Sequence, residues 1–185
     1  MAETGNITNV GKRKRYPDLT YDTLIDRLSY DPETGFFTWR ATGSHGPKTP
    51  KHLIGKKAGC YSKSLEYAII RIGGKFYPVH RLAFLYMKGR WPEFFLDHKD
   101  GNPLNNRWDN LREATKSQNS ANRRISSNNR SGFKGVVESP SGLFESRVQH
   151  LKKNTYLGLF KTAEEAHRAY CEACASIFGE FANPG

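Results

Sequence analysis

Between residues 94 and 124 the chain reads FFLDHKDGNPLNNRWDNLREATKSQNSANRR, a polar stretch with six asparagines between 102 and 122. Phe94-Phe95-Leu96 predicts a short apolar strand that ends on Asp97-His98. Lys99 to Asn102 reads as a turn and Asn110 to Ala114 as a second short strand. Thr115 is placed to cap a helix from Lys116 to about Arg124, because its hydroxyl can accept an otherwise unpaired N–H of the first turn. The order is strand, loop, strand, helix. Asparagine and aspartate at such density also suit Asx-turns and caps, which is the better reading for Asn102, Asn105 and Asn122 taken one by one.

The preceding segment, from about Tyr16 to Trp91, supplies the apolar periodicity. Leu19, Leu24, Ile25 and Leu28 predict a short amphipathic helix capped by Thr20 or Asp22. Asp31 to Gly35 is a turn, Phe36 to Trp39 a strand, and 41–59 a loop rich in Gly, Pro and Lys. Tyr67 to Ile72 and Lys75 to Val79 form a hairpin about Gly73-Gly74, and Val79 to Met87 a buried helix. After a turn-rich stretch at 126–131, strands are expected at Phe133–Glu138, Phe144–His150 and Thr155–Phe160. A helix then opens with a capping box, Thr162 and Glu165, and carries Ala166, Tyr170, Ala173 and Ile177 along one face. The fold class is α+β, with a C-terminal three-stranded antiparallel sheet packed on one helix.

Charge narrows the partner. The 185 residues carry a formal +11, with Lys12 to Arg15 as a basic arm, whereas 162–185 sets Arg168 against Glu164, Glu165, Glu172 and Glu180. A folded basic protein of this kind points to a polyanion. No run approaches the roughly 18 apolar residues of a membrane span. MAETGNITNV holds no apolar signal core, and three cysteines fit a reducing cytoplasm better than a disulfide framework. Cys171 and Cys174, with His167, would make at most a partial zinc site, and core cysteines are the better reading.

Hydrolysis of a phosphodiester needs a base to activate water and a hard cation to offset charge on the phosphate. Asp97 and His98 are adjacent at a strand end, so their side chains leave the strand on opposite sides. One can hold a metal while the other addresses water. An amide oxygen from the following helix, Asn119, suits Mg2+ as a second ligand.

The pattern Asp97-His98, Asp100-Gly101, Asn105-Asn106-Arg107, Asn110-Leu111-Arg112, Thr115, Gln118-Asn119 resembles the HNH nucleases, most closely their phage and intron-encoded homing branch. Tyr30 to Gly35, Phe37, Trp39 and His80 to Ala83 resemble what precedes the motif in many phage members. The resemblance implies a ββα-metal motif in which His98 is the general base and Asp97 and Asn119 bind one Mg2+ or Mn2+ ion. Asn110 holds the loop and orients the base. It also implies products with 5′-phosphate and 3′-hydroxyl ends, and no small-molecule cofactor.

Ser131 to Val136, Gly142, Phe144, the run from Leu157 to Ala166, Ala169-Tyr170 and Phe178-Gly179 resemble the APETALA-two DNA-binding domain of ethylene-response factors. That likeness implies duplex DNA against the sheet, met by Lys134, Arg147, Gln149, Lys152, Lys153, Asn154 and Tyr156, with Arg123 and Arg124 nearby. Val137, Ser139 and Gln149 depart from the plant pattern. The expected layout is a flexible arm over 1–15, a nuclease domain over 16–125, a linker over 126–131 and a reader over 132–180. Removal of 130–185 should then weaken binding and spare basal cleavage. A monomer or a DNA-induced dimer is expected. The rival readings are a non-catalytic DNA-binding regulator on a decayed nuclease fold and a structure-selective or non-specific nuclease.

Overall fold

The computed structural model describes residues 19–41, 48–126, 128–183 and 185, so the basic arm lies outside the described residues. It is a mixed α/β structure with small antiparallel sheets. Thr20 caps α1 (Tyr21–Arg27) by accepting the Thr23 N–H, and the chain turns at once into β1 (Leu28–Asp31). The expected helix thus stops short of Leu28. Leu28, Tyr30 and their partners on β2 (Phe36–Trp39) form an antiparallel pair, joined at the edge by β3 (Lys57–Ala58). Part of the stretch expected as a loop is therefore strand. A second sheet holds β4 (Cys60–Ser62), β5 (Tyr67–Ile72) and β6 (Lys75–Pro78), with the hairpin at Gly73-Gly74 where the sequence places it. Helix α2 (Val79–Lys88) follows without a break.

These elements close one core. Leu24, Leu28, Phe37, Ile70, Tyr77, Leu82 and Leu85 are buried together, and Leu111 from the asparagine-rich segment enters the same cluster. Burying a Leu or Phe side chain contributes about 1.5–3 kcal/mol, so Leu111 is a strong anchor for the polar stretch around it.

The asparagine-rich stretch folds as β7 (Phe95–His98), a loop, one 3-10 turn at Trp108–Asn110, β8 (Leu111–Ala114) and α3 (Lys116–Ala121). Thr115 and Gln118 make the reciprocal capping box at the start of α3. The helix ends three residues before its expected end, because Asn122 turns its side chain back toward β7.

Beyond it come β9 (Val136–Glu138), β10 (Phe144–His150), β11 (Lys153–Phe160) and α4 (Ala163–Phe178). The β10–β11 turn is Leu151-Lys152, both at positive φ, so Lys153 and Asn154 are strand residues and not turn residues. The buried side of α4 is Ala166, Tyr170, Cys174 and Phe178, at a regular spacing of four, while Ile177 is exposed. The expected face was read one residue early after Tyr170; cysteine and phenylalanine fill it. Gly135, at φ +76°, lies so close to Tyr170 that a Cβ there would fall 2.0 Å from the ring.

The two halves of the chain are not separable packing units. Ala114 of β8 and Ala121 of α3 are buried in one cluster with Val148, Tyr170, Cys174, Phe178 and Phe181. Lys134, expected to meet DNA, instead donates from its Nζ to the carbonyls of Ala121, Arg123 and Asn183. Its ammonium satisfies the end of α3, where helix carbonyls lack partners and carry partial negative charge. Burial pushes its pKa down. Lys134 is a structural tie between the segments.

This arrangement gives truncation a consequence for stability. A chain ending at residue 125 would expose Ala114 and Ala121 and lose the Lys134 tie. Its thermal melt, followed by circular dichroism, should fall at least ~10 °C below that of the intact protein, or lose cooperativity. An unchanged melting temperature would show that the shared cluster contributes nothing.

Candidate active site

β7 and β8 pair antiparallel with Asp97 opposite Arg112 and His98 opposite Leu111. The register alone puts the Asp97 carboxylate and the Arg112 side chain on one face of the pair. Arg112 Nε donates to Asp97 Oδ2 at 2.9 Å, and Asp97 is only 4% exposed. Asn122, just past α3, donates from Nδ2 to Asp97 Oδ1 and Oδ2 at 2.9 and 3.0 Å, and to the His98 carbonyl at 2.7 Å. The amide that reaches Asp97 is therefore that of Asn122, which the sequence assigned to a cap. Asn119 sits one turn earlier on the same side of α3, half-buried, with its backbone N–H bonded to Thr115. Among the described residues its side chain makes no hydrogen bond to Asp97 or His98.

His98 is oriented by Asn106. The Asn106 Nδ2 donates to the Leu104 carbonyl at 3.1 Å, which turns its Oδ1 toward His98 Nε2 at 3.2 Å. An amide oxygen can only accept, so Nε2 carries the hydrogen and Nδ1 is left as the basic nitrogen. Burial lowers the His98 pKa, against the opposing pull of the Asn106 bond, Asp100 and Asp97. The imidazole is thus neutral near pH 7, the form a general base requires.

Asn106 is itself fixed from far away in the sequence. Tyr30 donates from its hydroxyl to the Asn106 carbonyl at 2.6 Å, and Trp108 N–H donates to the Pro32 carbonyl at 3.0 Å. Burial, with Asp31 and Asp109 close by, raises the Tyr30 pKa, so the phenol keeps its proton. Gly35, at φ +73°, presses its backbone on Asn106; a Cβ there would sit 2.4 Å from the Asn106 carbonyl carbon. The Tyr30–Gly35 turn is therefore the back wall of the histidine.

Asn110 spans the loop between β7 and β8. Its Nδ2 donates to Asp100 Oδ1 and the Asn105 carbonyl at 3.0 and 2.8 Å, and its Oδ1 accepts the Asp100 N–H at 3.1 Å. It makes no hydrogen bond to the His98 ring; that contact is from Asn106. Burial acts against ionisation of Asp100, yet hydrogen bonds from Asn105, the Asn102 N–H and Asn110 hold its carboxyl below the usual range. Arg123 and Arg124 are exposed, and Arg124 lies along Gly101 of this loop.

His80, at the start of α2, stands edge-on to His98 with ring centroids 5.3 Å apart. Its Nδ1 is enclosed without a hydrogen-bond partner among the described residues, although the residue as a whole is only half-buried. Burial first, then His98 and Arg81, push its pKa down to about 3.

Among the described residues no cluster of three His, Cys, Asp or Glu could hold a metal by itself. The donor set still suits a hard divalent ion that keeps water and phosphate oxygens as its remaining ligands. Of the Asp97 lone pairs, Arg112 and Asn122 take both on Oδ2 and one on Oδ1, leaving one on Oδ1.

On the C-terminal sheet, Arg147 pairs with Tyr156 and Gln149 with Asn154, so these four share the face opposite buried Val148. All four are exposed, as are Lys152 and Lys153 beside them. Arg147 is ion-paired with Glu145. Cys171 Sγ contacts His167 Nε2 at 3.4 Å, and Cys174 is buried in the core.

Two expectations follow from this geometry. Asn106→Ala should lower turnover about tenfold or more on any substrate that His98 acts upon, with little change in KM, because it frees the ring without removing it; steady-state kinetics read the split. His80 binds a proton in the unfolded chain near pH 6.5 but in the folded one only near 3. Stability should therefore fall as pH drops through that window, by up to ~1.4 kcal/mol per pH unit from this group. Urea melts in EDTA across pH 4 to 7 should show that slope flattened in His80→Asn.

Residues 77–121, from the end of β6 through α3, match the HNH endonuclease family. Over 110 residues, 57% of this chain and 56% of the relative, the sequence is 36% identical to an uncharacterized HNH endonuclease of Acanthamoeba polyphaga mimivirus. Over 43 residues, 23% of this chain and 36% of the relative, it is 49% identical to Protein 3.8 of Escherichia phage T7. The chain thus covers little more than half, and about a third, of these relatives' own lengths. No solved structure matches it significantly. The residues that surround Asp97 and His98 thus lie in the segment that matches the HNH endonuclease family, in a chain similar over part of its length to a giant-virus protein.

Proposed function

We propose that the protein is a divalent-metal-dependent endonuclease that hydrolyses phosphodiester bonds in duplex DNA. The observation that carries this reading is the oriented, neutral His98 beside the buried Asp97 carboxylate, inside the segment that matches the HNH endonuclease family.

In this reading β7, β8 and α3 act as a ββα-metal motif. His98 Nδ1 takes a proton from the water that attacks phosphorus, while Nε2–H remains on Asn106. Asn106 prevents the ring from rotating and keeps the basic nitrogen the same through the reaction. Asp97, through Oδ1, and Asn119 would hold one Mg2+ or Mn2+ ion. The ion supplies Lewis-acid stabilisation of the phosphate and of the departing 3′-oxygen. Asn122 and Arg112 fix the carboxylate, and Asn110 closes the loop that follows both neighbours.

The C-terminal sheet would dock the duplex, in the manner of an APETALA-two domain. Arg147, Gln149, Asn154 and Tyr156 share one exposed face, with Lys152 and Lys153 at its end as phosphate contacts. Arg123 and Arg124 extend the basic surface next to the loop of the site. The viral sources of both relatives accord with a phage-type mobile enzyme. No helix of the described residues is long and apolar enough to cross a membrane.

Conversion of supercoiled plasmid in Mg2+, abolished by EDTA, tests the reading. His98→Ala should reduce cleavage by about two orders of magnitude or more and leave affinity for duplex DNA within about twofold. Full cleavage by that variant, or an absence of metal dependence in the wild type, would overturn it.

A further inference from the structure

Arg112, which pairs with Asp97, is itself held by the C-terminal tail. Its Nη1 donates to the Glu180 carbonyl at 2.8 Å and lies 3.7 Å from the Glu180 carboxylate. Its guanidinium sits 3.8 Å from the centre of the Phe181 ring, where the ring face attracts a cation. The Arg112 side chain is only 11% exposed as a result. Phe181 is buried in the cluster that joins α3 to α4. Asn183, two residues on, donates to the Asn122 carbonyl at 3.0 Å. Both groups that hold the Asp97 carboxylate are therefore fixed from outside by residues 180–183.

A guanidinium and a divalent cation seeking the same carboxylate repel each other, and burial strengthens the repulsion. Arg112 and Asn122 together leave Asp97 a single free lone pair, on Oδ1, and the Arg112 charge both aims the carboxylate and weakens its attraction for a second cation. We propose that Arg112 is a positioning residue that competes with the metal for Asp97, and that Glu180 and Phe181 set the strength of this competition. The C-terminal segment thereby tunes the metal dependence of cleavage and does more than bind DNA. This rests on the reading of Asp97 as a metal ligand.

The test uses the full chain without DNA. Phe181→Leu keeps apolar bulk but removes the ring face. Mn2+ binding, followed by loss of the free-ion paramagnetic resonance signal, should tighten about three- to tenfold, the range of one cation–π contact. Turnover at saturating metal should fall, because the carboxylate is no longer aimed. In an Arg112→Gln background the Phe181 substitution should add less than about twofold, since the contact it removes is already absent. Mn2+ affinity that is unchanged or weaker in Phe181→Leu overturns the proposal; general loosening of the fold would weaken the site. If Phe181→Leu does not fold, Arg112→Gln alone decides: binding no tighter than wild type overturns it. A wild type that binds no Mn2+ at all refutes the metal-nuclease reading instead.

Discussion

A carboxylate that is 4% exposed must be paired, because an isolated buried charge is too costly to keep. Asp97 meets this constraint with a guanidinium from the neighbouring strand and an amide from beyond the next helix. One side chain thus ties β7, β8 and α3 together. It also fixes register: a one-residue slip would put either Glu113 or Leu111 opposite Asp97, a like charge or an apolar side chain in place of the guanidinium. Removing one partner of such a pair typically costs about 3–5 kcal/mol. The small motif, with little apolar surface of its own, is held as much by this pairing as by Leu111.

The two neighbours at the end of β7 are supported from opposite ends of the chain. His98 leans on Asn106, and Asn106 on Tyr30 and the turn that ends at Gly35. Asp97 leans on Arg112 and Asn122, and these on the tail at Glu180, Phe181 and Asn183. The imidazole therefore belongs mechanically to the N-terminal core and the carboxylate to the C-terminal cluster. Their relative position is defined where these cores meet, along β7 and β8. A change in either core reaches one of the two groups before the other.

The sequence made the repeating elements readable. Hairpin glycines, capping boxes and the apolar spacing of α2 identified β5, β6, α2, α3 and α4 closely. The placement of Asp97 and His98 at a strand end was readable because the pattern of strand, loop and strand is local. What escaped is long-range and aperiodic. Asn122 and Asn119 look alike in sequence, and only the end of α3 decides which one folds back over Asp97, 25 residues earlier. Lys134 carries the charge of a DNA contact, yet its three acceptors come from the end of α3, from Arg123 just beyond it and from a tail 49 residues away. β1 was absorbed into the preceding helix because Leu28 fits both periods, and pairing with Trp39 settles it.

The abundance of asparagine between 102 and 122 has a physical reason that reconciles the capping and functional readings. A loop folded tightly against a histidine and a carboxylate must satisfy its own backbone without adding charge. Asparagine offers a donor and an acceptor on a short side chain and stays neutral. Asn102 and Asn105 accept backbone N–H groups two residues on, and Asn110 bonds three times across the loop. Aspartates at these places would crowd negative charge around Asp97 and Asp100, and lysines would compete for both. The Asx-turns thus build the neutral frame in which one imidazole can remain unprotonated and one carboxylate can remain charged.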